Sequence, residues 1–143
     1  MRILLSLAVS LALTAAAAAQ DVKTPITDAD TLKVDGVDVR LVDYDAPETF
    51  DPNCDAERNL GYQAVGYLNA LMNRRAVRLE YLPGVDKYYR RLARLYVGQD
   101  KAGDLLIAAG LAVPYDGRTR RTHWATTLCN LPQPKASSDG FLE

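Results

Sequence analysis

The chain has 143 residues, enough for one domain with a real core and too few for two. Its 17 basic and 18 acidic side chains leave a formal charge of −1, so any polyanion must be gripped by local arginine clusters and not by an overall basic field. The single histidine, His123, excludes mechanisms that need two histidines and every multi-histidine zinc site.

The N-terminus reads Met1-Arg2, an apolar run from Ile3 to Leu13, then Thr14 and five alanines before Gln20. A short charged lead, an apolar stretch and an Ala-x-Ala pattern predict a secretory signal peptide over residues 1–19. A membrane anchor fits less well, because the run is short and small residues stand where a basic stop would be. Cleavage would remove Arg2 and leave 16 basic against 18 acidic side chains, a charge of −2. The expected mature protein is secreted or periplasmic and free of the membrane.

"TLKVDGVDVRLV", residues 31–42, is two alternating runs joined by Asp35-Gly36, which predicts a hairpin with a two-residue turn. In that register Val34 faces Val37, Lys33 faces Asp38 and Leu32 faces Val39, with the apolar residues on one side and an opposite-charge pair on the other. Extended further, the register puts Asp30 opposite Leu41 and Asp28 opposite Asp43. It would gather Asp28, Asp30, Asp43 and Asp45 on one face. Facing carboxylates destabilise a sheet unless they share a cation, and oxygen ligands without His or Cys suit Ca²⁺ or Mg²⁺. A solvated acidic loop is the other reading. Simple alternation sends Arg40 to the face opposite Asp45, so one site can hold both only if the chain bulges or turns between them. Pro25 fits the short first strand only at an edge or a bulge.

From Asp55 to about Asn73, apolar residues Leu60, Ala64, Tyr67, Leu68 and Leu71 recur at helical spacing, with Asp51 or Asp55 as the expected cap and Gly61 and Gly66 as weak points. "AVRLEYL", 76–82, predicts a strand ended by Pro83-Gly84, and "LARLYVG", 92–98, predicts another. Between them "DKYYRRLAR", 86–94, surrounds two tyrosines with cations. It reads either as a phosphate- and base-contacting segment or as a solvated turn. "AGDLLIAAG", 102–110, predicts a helix stopped by Gly110. Past Tyr115 the chain is polar and turn-rich, His123 is expected to be solvated, and residues 131–143 read as a flexible tail after a domain spanning 20–130. In an oxidising compartment Cys54 and Cys129 are expected to form one disulfide; two unbridged thiols are the alternative.

The "D-x-D-T" hairpin start, "RLVDYDAPE", a helix, and "DKYYRRLA" occur in that order. This resembles the staphylococcal nuclease-like, or thermonuclease, family over roughly residues 26 to 116. The resemblance implies a mainly β fold with helices: a five-stranded OB-fold barrel with two to three packed helices. It also implies Ca²⁺-dependent hydrolysis of DNA and RNA phosphodiesters; nothing in the sequence demands a partner subunit, so a monomer is expected. Carried over by position, Asp30 and Asp45 match the carboxylate ligands of calcium, and Ala46 matches a ligand acting through its carbonyl. Glu48 matches the acid that orients or deprotonates water, and Arg40 and Arg90 match the arginines on the scissile phosphate. Lys87 and Tyr88 match contacts to the neighbouring phosphate, and Tyr115 a base-side contact. The chain departs from the family pattern at Tyr89 and Ala29, where glycine is common, and at Asp43, where the family is apolar or glycine. An OB-fold module that only binds nucleic acid or another polyanion is the alternative.

Overall fold

The structure, a computed structural model, describes residues 25–117 and 123–130. The expected signal peptide, 1–19, and the expected tail, 131–143, lie outside the described residues. In chain order the elements are β1 (Ile26–Asp28), β2 (Thr31–Val34), β3 (Val37–Leu41), β4 (Tyr44–Asp45), α1 (Asp55–Arg74), β5 (Val77–Val85), β6 (Arg91–Val97), β7 (Asp100–Lys101), α2 (Ala102–Ala108), β8 (Val113–Pro114) and α3 (His123–Thr127).

The hairpin of β2 and β3 forms in the predicted register, Val34↔Val37, Lys33↔Asp38 and Leu32↔Val39. Asp35 and Gly36 both have positive φ, 51° and 81°, the conformation of a type I′ turn. Lys33 Nζ lies 2.8 Å from the Asp38 carboxylate. The register stops sooner than expected, however. The chain reverses at Ala29-Asp30, and β1 returns along β2 with Asp28 opposite Thr31 and Ile26 opposite Leu32. Asp28 therefore never faces Asp43, and the four-acid cluster does not form. Pro25 lies beside the edge strand as expected, its carbonyl accepting the Lys33 N–H at 2.9 Å.

The main sheet runs β1-β2-β3-β6-β5, with β7 against β6, while β4 and β8 pair separately. β3 and β6 are parallel, joined in register Arg40↔Leu92, and the remaining pairs are antiparallel. This mixed sheet with three helices is an OB-fold. Its core is filled by Leu32, Val39 and Leu41 from the hairpin, Ala93, Leu95 and Val97 from alternate positions of β6, Ala64 and Leu68 from α1, and Leu106 from α2.

α1 matches its predicted span to within a residue, but its N-cap is Cys54, without a side-chain capping bond, and not Asp51 or Asp55. Cys54 is held there by its disulfide to Cys129. Pro83-Gly84 does not end β5; the strand continues to Val85 through a register shift after Tyr81, with Gly84 at φ 86°. α2 stops as its sequence implies. Gly110 at φ 71° donates to the Ile107 carbonyl and Leu111 to the Leu106 carbonyl, the paired bonds of a Schellman ending.

Candidate active-site cleft

The turn needed between Arg40 and Asp45 lies at Asp43. Its φ of 76° breaks the strand after β3 and swings the chain into β4. Aspartate tolerates this region better than most residues. The corner is tied from both sides: the Asp43 carboxylate accepts Arg94 Nε at 2.6 Å, and its carbonyl accepts the Tyr115 N–H at 3.1 Å. Hydrogen bonding to Asp43 raises the pKa of Arg94 still further above its ordinary range.

Past the corner, Arg40 and Asp45 meet. Arg40 Nη1 lies 2.5 Å from Asp30 Oδ1, and Nη2 lies 3.4 Å from Asp45 Oδ1. Both carboxylates are almost fully buried, as is Arg40. The other Asp30 oxygen accepts the Ala46 N–H at 3.1 Å, and Thr31 Oγ1 donates to Oδ1 at 3.1 Å. Tyr44 secures the turn that presents Asp30, because its hydroxyl donates to the Ala29 carbonyl at 2.6 Å. Burial, with the nearby Asp30 charge and against the pull of Arg40, pushes the Tyr44 pKa well above its ordinary value, so the hydroxyl stays a donor. α2 can cover this tyrosine only because residue 103 is glycine; a Cβ there would lie 2.5 Å from the ring.

Arg90 comes to the same place from the loop between β5 and β6. Asp86 Oδ1 accepts the backbone N–H of both Tyr88 and Arg90 at 2.9 Å, which closes the loop. Asp86 Oδ2 lies 2.7 Å from Arg90 Nε and 2.7 Å from Nη2. Partial burial raises the Asp86 pKa, but these hydrogen bonds outweigh it and hold the carboxyl below its ordinary value. Tyr89 takes the left-handed conformation that glycine would take, φ 62°, and points its side chain into solvent, 86% exposed. The bulky residue therefore leaves the turn intact. Arg90 Nη1 reaches Thr31 Oγ1 at 3.3 Å. A continuous polar chain, Asp86–Arg90–Thr31–Asp30–Arg40–Asp45, thus links the two arginines.

Glu48 sits on the segment between β4 and α1, and α1 holds that segment in place. The buried Glu57 carboxylate accepts the Glu48 N–H at 3.3 Å through one oxygen and Asn53 N–H and Nδ2, each at 2.7 Å, through the other. Gly61 lets the helix approach; a Cβ there would lie 2.9 Å from the Pro47 carbonyl oxygen and 3.0 Å from that of Glu48. Asp28 serves the same segment, accepting the Thr49 N–H at 2.8 Å and its hydroxyl at 2.5 Å.

Arg40, Asp45, Glu48, Lys87, Tyr88, Arg90 and Tyr115 all line one cleft of about 780 Å³. Asp30 stands behind Arg40, and Ala46 is buried beside it. Lys87 Nζ and the Arg90 guanidinium lie 4.8 and 5.3 Å from the Tyr88 ring centre. Among the lining residues that the sequence did not single out are Glu57 and Trp124. An acid in a first helical turn reads as dipole compensation, and α3, five residues long, shows no periodicity. Trp124 is buried, with its indole N–H unpartnered, and the exposed His123 packs edge-on to it at 4.7 Å. Cys129, bonded to Cys54, anchors this helix to the start of α1.

The cleft of this OB-fold thus sets two arginines beside buried carboxylates and a further glutamate. Comparison with protein families matches residues 38–137 to the staphylococcal nuclease homologue family, and the chain belongs to that family. Asp30 lies before the matched segment and enters the site through its contact with Arg40. No curated protein matches the chain.

Proposed function

We propose that this protein is an exported, calcium-dependent nuclease that hydrolyses phosphodiester bonds of DNA, RNA or both, acting as a monomer. The observation that carries the reading is the convergence of Arg40, Arg90 and Glu48 on one cleft. Attack by water on a phosphodiester adds negative charge at phosphorus, and the guanidinium groups of Arg40 and Arg90, paired with Asp30 and Asp86, meet that charge. Arginine suits the task because its planar fork spans two phosphoryl oxygens and stays charged. Glu48 orients or deprotonates the water, with its backbone held by Glu57. A pure binding module has no use for a carboxylate beside a phosphate. Lys87, Tyr88 and Tyr115, which line the same cleft, are assigned to the flanking nucleotides.

The donor types of Asp30, Asp45 and the Ala46 carbonyl suit a hard cation, and both carboxylates are paired with Arg40 in this structure. Two carboxylates converge on one guanidinium beside Ala46, with no histidine or cysteine bonded to them among the contacts described. Asp30, Asp45 and the Ala46 carbonyl, the donors that the family resemblance assigns, would leave most coordination positions to water and substrate. Calcium held there would supply positive charge beside the phosphoryl oxygens. The leader sequence and the Cys54–Cys129 bridge support export to an oxidising compartment.

The purified protein is expected to degrade single-stranded DNA with calcium and to stop when a chelator is added. Glu48→Gln should slow cleavage by about 10²–10⁴-fold with an unchanged unfolding midpoint. Calcium-independent cleavage would refute the mechanism. Binding of the strand without cleavage in any metal would return the chain to the alternative, an OB-fold module for polyanions.

A further inference from the structure

The cleft does not exhaust the cationic surface of the sheet. Among the described residues, Arg40, Arg58, Arg75, Arg90 and Arg94 each have a carboxylate within salt-bridge distance. Arg74, Arg78, Lys87, Arg91 and Lys101 have none, and two of these, Arg78 and Lys101, sit on either side of one tyrosine. The register sets Arg78 opposite Tyr96 across β5 and β6, and Tyr96 opposite Lys101 across β6 and β7. Directly opposed residues project from the same side of a sheet. The three side chains therefore form a row, cation–tyrosine–cation, crossing three strands.

The row lies on the same side of the sheet as the cleft. Along β6, Ala93, Leu95 and Val97 are buried, while Leu92, Arg94 and Tyr96 alternate with them and point the other way. Leu92 lines the cleft, and Tyr96 follows it four residues on, about 13 Å at a strand's rise of ~3.3 Å per residue. Between them Arg94 is committed to Asp43 and lies 3.9 Å from Glu80. The tyrosine is fixed: its hydroxyl donates to Glu80 at 2.8 Å, and the Arg78 guanidinium lies 4.0 Å over its ring. Arg78 is thus held in place by the ring while its N–H groups keep no carboxylate, and Lys101 is exposed at the far end. An OB-fold engages about 4–16 nucleotides, more than one scissile phosphate accounts for.

We propose that Arg78 and Lys101, flanking Tyr96, form a second phosphate-binding row that holds the nucleic-acid strand where it continues beyond the cleft. This rests on the nucleolytic reading of the cleft. It makes binding depend on strand length: a strand confined to the cleft does not feel the row, and a longer one does.

The test is fluorescence anisotropy of end-labelled oligothymidylates of about four and about sixteen nucleotides. It is run with calcium over a series of salt concentrations, in a Glu48→Gln background that keeps the strand intact. Arg78→Ala with Lys101→Ala is compared with the parent and with a charge-matched control, Lys33→Ala with Arg58→Ala. Single strands contribute about 0.7 to the slope of log K against log salt per phosphate contact, so the row variant should lose about 1.4 from the slope for the long strand. Its affinity for that strand should fall several-fold while the short strand and the control stay unchanged. An unchanged slope, or an equal loss for both lengths or in the control, overturns the row. A cleavage assay in the wild-type background separates the two claims. Cleavage without a row effect leaves the nuclease standing; a row effect without cleavage overturns the nuclease and leaves the row as part of a binding surface. Binding of neither length overturns both.

Discussion

α1 carries two glycines that its sequence cannot distinguish, and the structure sets them apart. Gly66 has nothing within 4 Å of where a Cβ would stand, whereas at Gly61 a Cβ would meet the Pro47 oxygen and the Thr49 methyl at 2.9 Å and the Glu48 oxygen at 3.0 Å. Ordinary contact begins near 3.4 Å, so Gly61→Ala is about 0.5 Å too tight against the backbone that carries Glu48. Either substitution gains helix propensity of about 1 kcal/mol. For Gly66→Ala that gain should stand alone, with unchanged cleavage. For Gly61→Ala, overpacking costs about 1–3 kcal/mol, so net stability should fall by roughly 0–2 kcal/mol. The rate should fall more, because a misplacement near 1 Å costs about 100-fold and half of that should still cost about tenfold. Urea denaturation and initial rates on single-stranded DNA measure both quantities. If Gly61→Ala is as stabilising as Gly66→Ala and cleaves at the parental rate, the seating of the Glu48 segment on α1 is refuted.

Three further outcomes are expected. Tyr89→Gly should stabilise by about 1 kcal/mol, since an L-residue in the left-handed region carries a cost of that order and the exposed ring packs on little; a lowered urea midpoint would contradict this. Asp86 has a lowered pKa in the fold, so its contribution is present above the unfolded value of about 3.9 and is lost as pH falls through the folded value. The stability gap between the parent and Asp86→Asn should therefore be full at neutral pH and shrink in acid below about 3.9; a gap constant down to the lowest pH would disprove the linkage. Replacing both cysteines by serine opens a closure spanning 75 residues and should cost roughly 4 kcal/mol, read from denaturation midpoints, while thiol labelling of the unreduced, denatured parent should find no reactive thiol.

Where local rules act alone, the sequence was a sufficient guide. Asp35-Gly36 set the hairpin and its register because two positive φ values suit only a few residues. Gly110 set the end of α2 for the same reason. The conflict between Arg40 and Asp45 in simple alternation correctly demanded a turn, but not where it lies. Asp43 is held at φ 76° by Arg94, 51 residues away, and by Tyr115, and neither tie leaves a local trace. The expected acidic cluster failed because the chain reverses at Ala29-Asp30, which sends Asp28 to Thr49. Glu57 and Trp124 were illegible since their roles depend on what packs against them: a segment nine residues earlier for one, and a helix placed by a disulfide for the other.

That disulfide has one more consequence. A peptide bond cut anywhere between residues 54 and 129 yields two fragments that remain covalently joined. Arg90 and Tyr115 lie inside that interval, and Arg40, Asp45 and Glu48 lie before it. A single nick within that interval therefore cannot let the two halves of the cleft diffuse apart.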